Sequence, residues 1–301
     1  MPRNQTVTYL IERLSEIGIR PDSKRGQNFL IDLNLLRLLA DSADIGPNDV
    51  VLEVGTGTGA LTELLSERAA EVVTVEIDKH LYELASEVLI DRPNVVMIRR
   101  DILKNKNRLD PDVLTVVQEK VLAAPGRRLK LVANLPYNVA TPILSNSLLV
   151  DLVPFAMTVT IQKELADRIL AKPGSKDYGA LSIWMQCQCE GRIIRVLPPS
   201  VFWPRPKVTS AIIQLDVVPE KRARIFDLAH FHSFVRAMFL HRRKYLRGEL
   251  LAAVKGRLDK AAVDAVMIEL NLAADARAEQ LDVETMLALF EAIRQAANAT
   301  E

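Results

Sequence analysis

Five short runs rich in Val, Ile, Leu and Met, separated by helix-length stretches, constrain the fold of this chain more than any other feature. They are Val50–Val54, Val72–Glu76, Val95–Ile98, Leu129–Ala133 and Ala156–Ile161. Stretches such as Gly59–Arg68 and Lys79–Leu89 between them read as helices. Alternation of this kind predicts a parallel sheet covered on both faces. The segment Asn105–Arg128 is long for a connection, and Asp112–Ala123 reads as a helix inside it. From about Asp227 the strand-like runs stop. Leu281, Met286, Leu287, Phe290 and Ile293 then recur at a helical period. The expectation is an α/β domain over residues 1–220, with an N-terminal helical extension over 1–45, followed by a small all-helical domain over 221–301.

Composition excludes several classes. With 49% hydrophobic and 26% charged residues in a chain of 301, the protein has ample core and is not disordered. Its two cysteines, Cys187 and Cys189, stand two apart, which is not the spacing of a metal or redox pair. They are expected to be reduced, in a cytosol-like compartment. The first residues lack the apolar core of a signal peptide, and no apolar run approaches the ~20 residues needed to span a bilayer. A cytoplasmic monomer without membrane contact is expected. The net charge of +1 conceals an asymmetry. Residues 192–257 hold fourteen Lys/Arg against four Asp/Glu, whereas residues 259–301 hold three against nine. A basic segment of this size suits a polyanion; solvated helix faces are the plain alternative.

The sequence Gly55-Thr56-Gly57-Thr58-Gly59 follows the first strand and opens a helix. Glycines there let backbone N–H groups approach a ligand closely. The spacing is one residue shorter than the dinucleotide fingerprint. Glu76, at the end of the second strand, is placed to bind a ribose diol. Asp101, after the third, could hold an adenine amino group. These placements fit S-adenosylmethionine better than NAD, and they offer no placed acid for hydride transfer. Tight NAD binding would revive the oxidoreductase alternative.

After the fourth strand comes Asn134-Leu135-Pro136-Tyr137. The Asn side chain and the Leu135 carbonyl can accept hydrogen bonds from an amine, and the Tyr ring can stack on a flat base. A pocket for the exocyclic amine of a nucleobase would use such a set. A plain turn is the alternative, since Asn and Pro are common turn formers. All these elements lie at strand C-termini, where doubly wound sheets bind ligands. No convincing metal site is present; His230, His232 and His241 read as surface or RNA-contact residues.

Together the motifs resemble the small-subunit rRNA adenine N6-dimethyltransferases, the KsgA family. The match runs from Arg25–Leu30 through Val51–Leu61, Val75–Asp78, Asn134–Pro142 and Gln162–Glu164. It continues through Tyr178–Ser182 and Phe202–Ser210 to Phe239–Arg247. One departure is Thr56, where the family commonly has Pro. The resemblance implies a Rossmann-like methyltransferase domain with a helical C-terminal domain. It implies S-adenosylmethionine contacts at Asn28, Leu30, Gly55, Gly57, Glu76, Asp101 and Asn134. It implies transfer of two methyl groups to each of two adjacent adenosines near the 3′ end of small-subunit rRNA, in an assembly intermediate. The expected catalytic set is Asn134, Leu135, Pro136 and Tyr137, with Phe202 closing the other face of the base. The alternative for Phe202 is a core residue in a proline turn, and for Tyr137 a loop-bonding Tyr.

RNA contact is expected at Arg205, Lys207, Arg242, Arg243, Lys244 and Arg247, the last four able to share one helix face. A large-subunit rRNA adenine N6-methyltransferase of the macrolide-resistance type shares several motifs. A non-catalytic assembly or transcription factor on the same scaffold is the other alternative. Reversing Arg242, Arg243 and Lys244 to Glu is expected to weaken subunit binding and spare cofactor binding. Affinity that does not change with salt would count against an RNA partner.

Overall fold

The computed structural model describes Thr8, Glu12, Leu14, residues 27–241 and residues 244–298. Arg25 and Gly26 of the N-terminal motif, Arg242 and Arg243, and most of the expected 1–45 extension before residue 27 lie outside the described residues. The chain divides into two units. One holds the residues up to Ala166 together with Gly191–Val217; the other holds Asp167–Glu190 and everything from Val218 onward.

In chain order the strands are β1 (Phe29–Leu30), β2 (Asp49–Val54), β3 (Glu71–Glu76), β4 (Val95–Arg99), β5 (Leu103–Asn105), β6 (Arg108–Leu109), β7 (Arg128–Asn134), β8 (Ala156–Gln162), β9 (Cys189–Leu197), β10 (Phe202–Trp203) and β11 (Ser210–Val217). Seven form one sheet in the order β4-β3-β2-β7-β8-β11-β9. The five sequence-predicted strands are its parallel part, β4 to β8. β2 is buried at every position and β8 at all but the last, which is why their sequences read as unbroken apolar runs. β9 and β11 are not among the five expected strands. β11 runs antiparallel to β8, so no crossover helix precedes it to announce it.

The helices follow from their caps. Asp32 accepts from the N–H groups of Asn34 and Leu35 to start Leu33–Ser42, and Asp78 does the same at His80 and Leu81 for Lys79–Val88. Each such cap contributes about 1 kcal/mol. Gly59 begins Ala60–Ser66 in the left-handed region, φ 81°. Leu36, Leu39, Leu61 and Leu65 pack with Val51, Val72 and Val132 in one core cluster. Helix Pro111–Leu122, expected at 112–123, buries Val113, Val117 and Val121.

The second unit is helical apart from the start of β9. Tyr178 and Trp184 are buried. The Tyr178 hydroxyl donates to the Leu281 carbonyl at 2.8 Å. Trp184 meets Phe231, and Phe231 meets Phe290 edge-on at 5.2 Å. These large side chains draw residues 167–190 into the helical unit, although in sequence they precede the last sheet strand. A single cut near 220 therefore misses them.

Two buried polar groups lie in the sheet. At its lower end Lys130 Nζ bonds Asp49 Oδ2 at 3.0 Å and the Ala43 and Asp44 carbonyls, with Lys130 3% and Asp49 1% exposed. Burial pushes the Asp49 carboxyl up, but hydrogen bonds from Arg128, Gly46 and Lys130 together hold it below its ordinary value. Near the other end Glu53 Oε2 accepts from Thr62 at 2.5 Å and from Thr74 at 2.7 Å. Thr74 has thereby given its proton, so the Thr56 hydroxyl, 2.6 Å away, donates to Thr74. Thr56 is thus tied into the sheet and is not a neutral filler of the glycine turn. Glu53 Oε1 is buried without a partner. Burial raises the Glu53 carboxyl to about 8, the two Thr hydroxyls pull it down, and Glu76 adds to the rise.

Lys130→Met should lower stability at neutral pH by less than the about 3–5 kcal/mol of a fully stranded buried carboxylate, because Arg128 and the Gly46 N–H still hold Asp49. Urea titrations should show the deficit shrinking in acid, as Asp49 takes up a proton. For Glu53 the sign is opposite. The native state keeps a proton that the unfolded chain releases above its ordinary value of 4.5. Stability therefore falls as pH rises toward 8, by up to about 1.4 kcal/mol per pH unit. Glu53→Gln should flatten that fall; parallel wild-type and variant curves from pH 5 to 8.5 would refute it.

Candidate active site

The parallel register sets the ends of β2, β3 and β7 side by side. Val54 pairs with Val75, and β7 continues past its last β2 pair to Asn134. The turns that leave these ends enclose a cavity of about 570 Å³, a common size for a small-molecule site. Its wall includes Asn28, Gly55, Gly57, Glu76, Asp101 and Asn134. With Pro136, also in the wall, seven of the expected site residues thus come together.

Gly57 has φ +56°, and a Cβ there would lie 3.3 Å from the Phe29 ring. Only glycine lets the turn pass this close to the N-terminal segment. Its N–H donates to Glu76 Oε2 at 2.9 Å, and the Asp78 N–H donates to Oε1 at 3.0 Å. Glu76 is 5% exposed. Burial raises its carboxyl, while the Asp78 and Gly57 N–H groups pull it down. Each oxygen keeps a lone pair for a further donor, which suits a vicinal diol. Asp101 is exposed, and its Oδ1 accepts from the Leu103 N–H at 2.9 Å. That bond holds the carboxylate at the cavity wall with acceptor capacity to spare.

Asn134 is the most constrained residue of the site. Its Nδ2 donates to the Asn28 carbonyl at 2.9 Å. A carbonyl can only accept, so the amide orientation is fixed and Oδ1 points the other way. Oδ1 is buried and has no partner. A buried acceptor without a donor costs about 1–3 kcal/mol, a cost that a donor reaching it would relieve. After it, the Leu135 N–H donates to the Thr160 carbonyl and the Val139 N–H to the Pro136 carbonyl. These bonds fix the turn before helix Ala140–Ser147.

Other expected residues fall elsewhere. Tyr137 is half-buried and outside the wall; its hydroxyl lies 2.5 Å from Ser210 Oγ. Burial raises the phenol and Ser210 opposes the rise. Phe202 is 2% exposed. It pairs with Leu30 between β1 and β10, and both side chains belong to the core cluster. Neither presents a face to the cavity, so the core reading of Phe202 holds in this conformation. The neighbouring Trp203 stacks on Phe29 at 6.4 Å, and Phe29 forms part of the wall. The wall also includes Ile77, Leu81, Arg100, Ile102 and Val139, which sequence reasoning missed. Ile77 had a signal: an apolar residue directly after a strand-end acid, here 58% exposed.

Of the basic residues, Arg205 and Lys207 are exposed in the β10–β11 loop. In the helical unit Lys244 lies between helices Leu228–Met238 and Leu246–Ala253, not on a helix face. Arg247 is held by both oxygens of Asp264, at 2.6 and 2.9 Å. In this structure its guanidinium is engaged by that pair. His232 packs on Trp184 at 4.6 Å, and burial lowers its pKa, so it is a packing residue.

Known proteins are similar to this chain in sequence and fold. The chain is 40% identical over 289 residues to the ribosomal RNA small subunit methyltransferase A of Lactiplantibacillus plantarum, covering 93% of this chain and 92% of the relative. A dimethyladenosine transferase from Plasmodium falciparum has the same fold. It gives a TM-score of 0.71 at 22% identity, over 88% of this chain and 97% of that one. The 23S rRNA methyltransferase ErmE gives a TM-score of 0.61 at 25% identity, over 89% and 100%. A family described as ribosomal RNA adenine dimethylase matches residues 20–295, and the chain belongs to that family.

Proposed function

We propose that this protein is an S-adenosylmethionine-dependent adenine N6,N6-dimethyltransferase of small-subunit rRNA, acting in the cytoplasm on an assembly intermediate. The observation that carries this reading is Asn134 Oδ1, a buried acceptor without a donor beside a cavity suited to a nucleoside. The wall fits the cofactor: Glu76 for the ribose hydroxyls, Asp101 for the adenine amine, Gly55 and Gly57 for close backbone approach. When bound, the cofactor supplies an activated methyl group on a sulfonium.

This chain's residues then have to position a weak nucleophile. Adenine N6 shares its lone pair with the ring. Asn134 Oδ1 and the Leu135 carbonyl would accept its two N–H bonds before the first transfer and share the one that remains before the second. Each methylated ammonium then loses a proton to solvent. Drawing both hydrogens to one side favours a pyramidal nitrogen whose lone pair faces the cofactor. The work is orientation and fixed dipoles. Pro136 stiffens the turn. Tyr137, pinned at its hydroxyl by Ser210 and outside the cavity wall, holds the loop beside the turn in this conformation, and its ring meets the base only on turning toward the cavity. The base must leave its stack to reach the pocket.

The small-subunit assignment draws on the 40% identical relative; ErmE, at 25%, supports the large-subunit alternative less. A labelled-methyl assay on each purified subunit tests both. Label should enter the small subunit at adenine. Asn134→Ala should lose most transfer, by 100-fold or more if it removes about 3 kcal/mol, while cofactor binding stays measurable by calorimetry. Full turnover by Asn134→Ala would remove the mechanism, and label in the large subunit would reverse the substrate assignment.

A further inference from the structure

The segment after Asp101 holds a feature that the cofactor site does not use. β5 and β6 form a hairpin with its turn at Lys106-Asn107, and Asn105 pairs with Arg108. Residues 104–108 are all exposed and carry three cations, Lys104, Lys106 and Arg108, with no acid. None of the three has an ion-pair partner among the described residues.

The hairpin is rigidly seated. The Asp110 N–H donates to the Ile102 carbonyl at 2.8 Å, closing its base. The Asn107 N–H donates to Asn105 Oδ1 at 2.9 Å, fixing the turn. Asn146 Nδ2 donates to the Lys106 carbonyl at 3.2 Å, and β6 packs on helix Ala140–Ser147. That helix directly follows the Asn134–Val139 turn. At its other end the hairpin grows out of Arg100, Asp101 and Ile102 in the cavity wall. Its base therefore stands at the cofactor edge, and its tip lies against Asn146, near the C-terminal end of the helix that leaves the Asn134–Val139 turn. Lys106 is four residues from Ile102, at most about 13 Å along a strand.

The nearby carboxylates do not cancel this charge. Asp110 and Asp112 are taken by Arg100, whose Nη1 lies 3.3 Å from Asp110 and 2.6 Å from Asp112. Asp110 also caps the helix that begins at Pro111. Arg100 pairs with both Asp110 and Asp112 but offsets only one of those charges, and Asp101 stays exposed at the hairpin base, so the three cations at the tip outnumber the two carboxylate charges left uncompensated at its foot.

We propose that the Lys104–Arg108 hairpin is a substrate-binding ridge that grips the RNA phosphates flanking the target adenosines. This rests on the RNA substrate proposed above. An extruded base leaves its neighbours' phosphates at the mouth of the pocket, where fixed cations both attract and register the strand. A rigid ridge loses little entropy on binding, unlike a flexible basic tail.

The test is the triple variant K104Q/K106Q/R108Q, with K104R/K106R as the charge-preserving control. Steady-state methylation of purified small subunits, filter binding to subunits and to protein-free rRNA, and calorimetry with S-adenosylmethionine should be measured together. The triple variant should raise the subunit KM about tenfold or more. It should also reduce the salt slope of log affinity by about 2–3, as the loss of three phosphate contacts requires. Its cofactor affinity should match the wild type, which also shows that the domain is folded, and K104R/K106R should behave as wild type. Wild-type activity with an unchanged KM and salt slope in the triple variant would overturn the ridge and leave the methyltransferase reading standing. Lost affinity for subunits but not for protein-free rRNA would also overturn it, assigning the hairpin to a ribosomal protein. A wild type that binds cofactor but neither binds nor methylates either RNA sample would overturn the substrate reading and the ridge with it.

Discussion

The parallel register of β2 with β3 and β7 is the constraint on which the site depends. Val54 opposite Val75 brings Gly55 beside Glu76. Leu52 opposite Leu131 lets β7 reach Asn134 at the same edge. Shifting one strand by a residue would turn its side chains to the other face and take its terminal group out of the wall. The register is held because β2 and β3 are buried at nearly every position, so no slipped pairing avoids exposing Val or burying charge. The Asp49–Lys130 pair adds a polar lock between β2 and β7 at the opposite end. The geometry of the cavity is thus a consequence of core packing, not of the loops that line it.

Within that frame Asn134 acts as a hinge between sequence-distant parts. Its amide reaches back to the Asn28 carbonyl, and Phe29 next to Asn28 backs the Gly57 turn. The short β1–β10 pairing anchors this N-terminal strap through Leu30 and Phe202. Phe202 therefore contributes indirectly. Held in the core, it fixes Leu30, which fixes Asn28, which orients the Asn134 amide. A buried unpaired Oδ1 is destabilising in the ligand-free protein, and it persists because both neighbours of the amide are fixed independently.

Much of this was legible in the sequence. The five parallel strands were, because burial on both faces leaves continuous Val-rich runs. So was the convergence of Gly55, Gly57, Glu76, Asp101 and Asn134, because each stands where a strand ends. The strands β9 and β11 were not: β11 runs antiparallel to β8 and follows β9 and β10 without an α-helix between. The grouping of residues 167–190 with the C-terminal helices was not, because it depends on Trp184 and Tyr178 finding Phe231 and Leu281 far along the chain. The Tyr178–Ser182 motif turns out to serve that packing: Ser182 accepts from the Gly179 N–H and donates to the Arg168 carbonyl. Side-chain direction at Phe202 and Tyr137 could not be read from motif order.

Charge is where local sequence misleads most. The run from 192 to 257 looks like a strong positive field, yet part of the acidic stretch after it is spent on that same run. Glu284 takes Arg224 and Asp264 takes Arg247, both through two bonds. Arg294 pairs with Glu291 and lies over Phe226. Such exposed pairs contribute little stability, but each removes a cation from the pool that could meet phosphate. The hairpin at 104–108 shows the converse. Its three charges are unremarkable in a count, but Arg100 engages Asp110 and Asp112 at its base. The potential that a polyanion meets is therefore set by which carboxylates are already taken, a three-dimensional property that a running charge sum cannot supply.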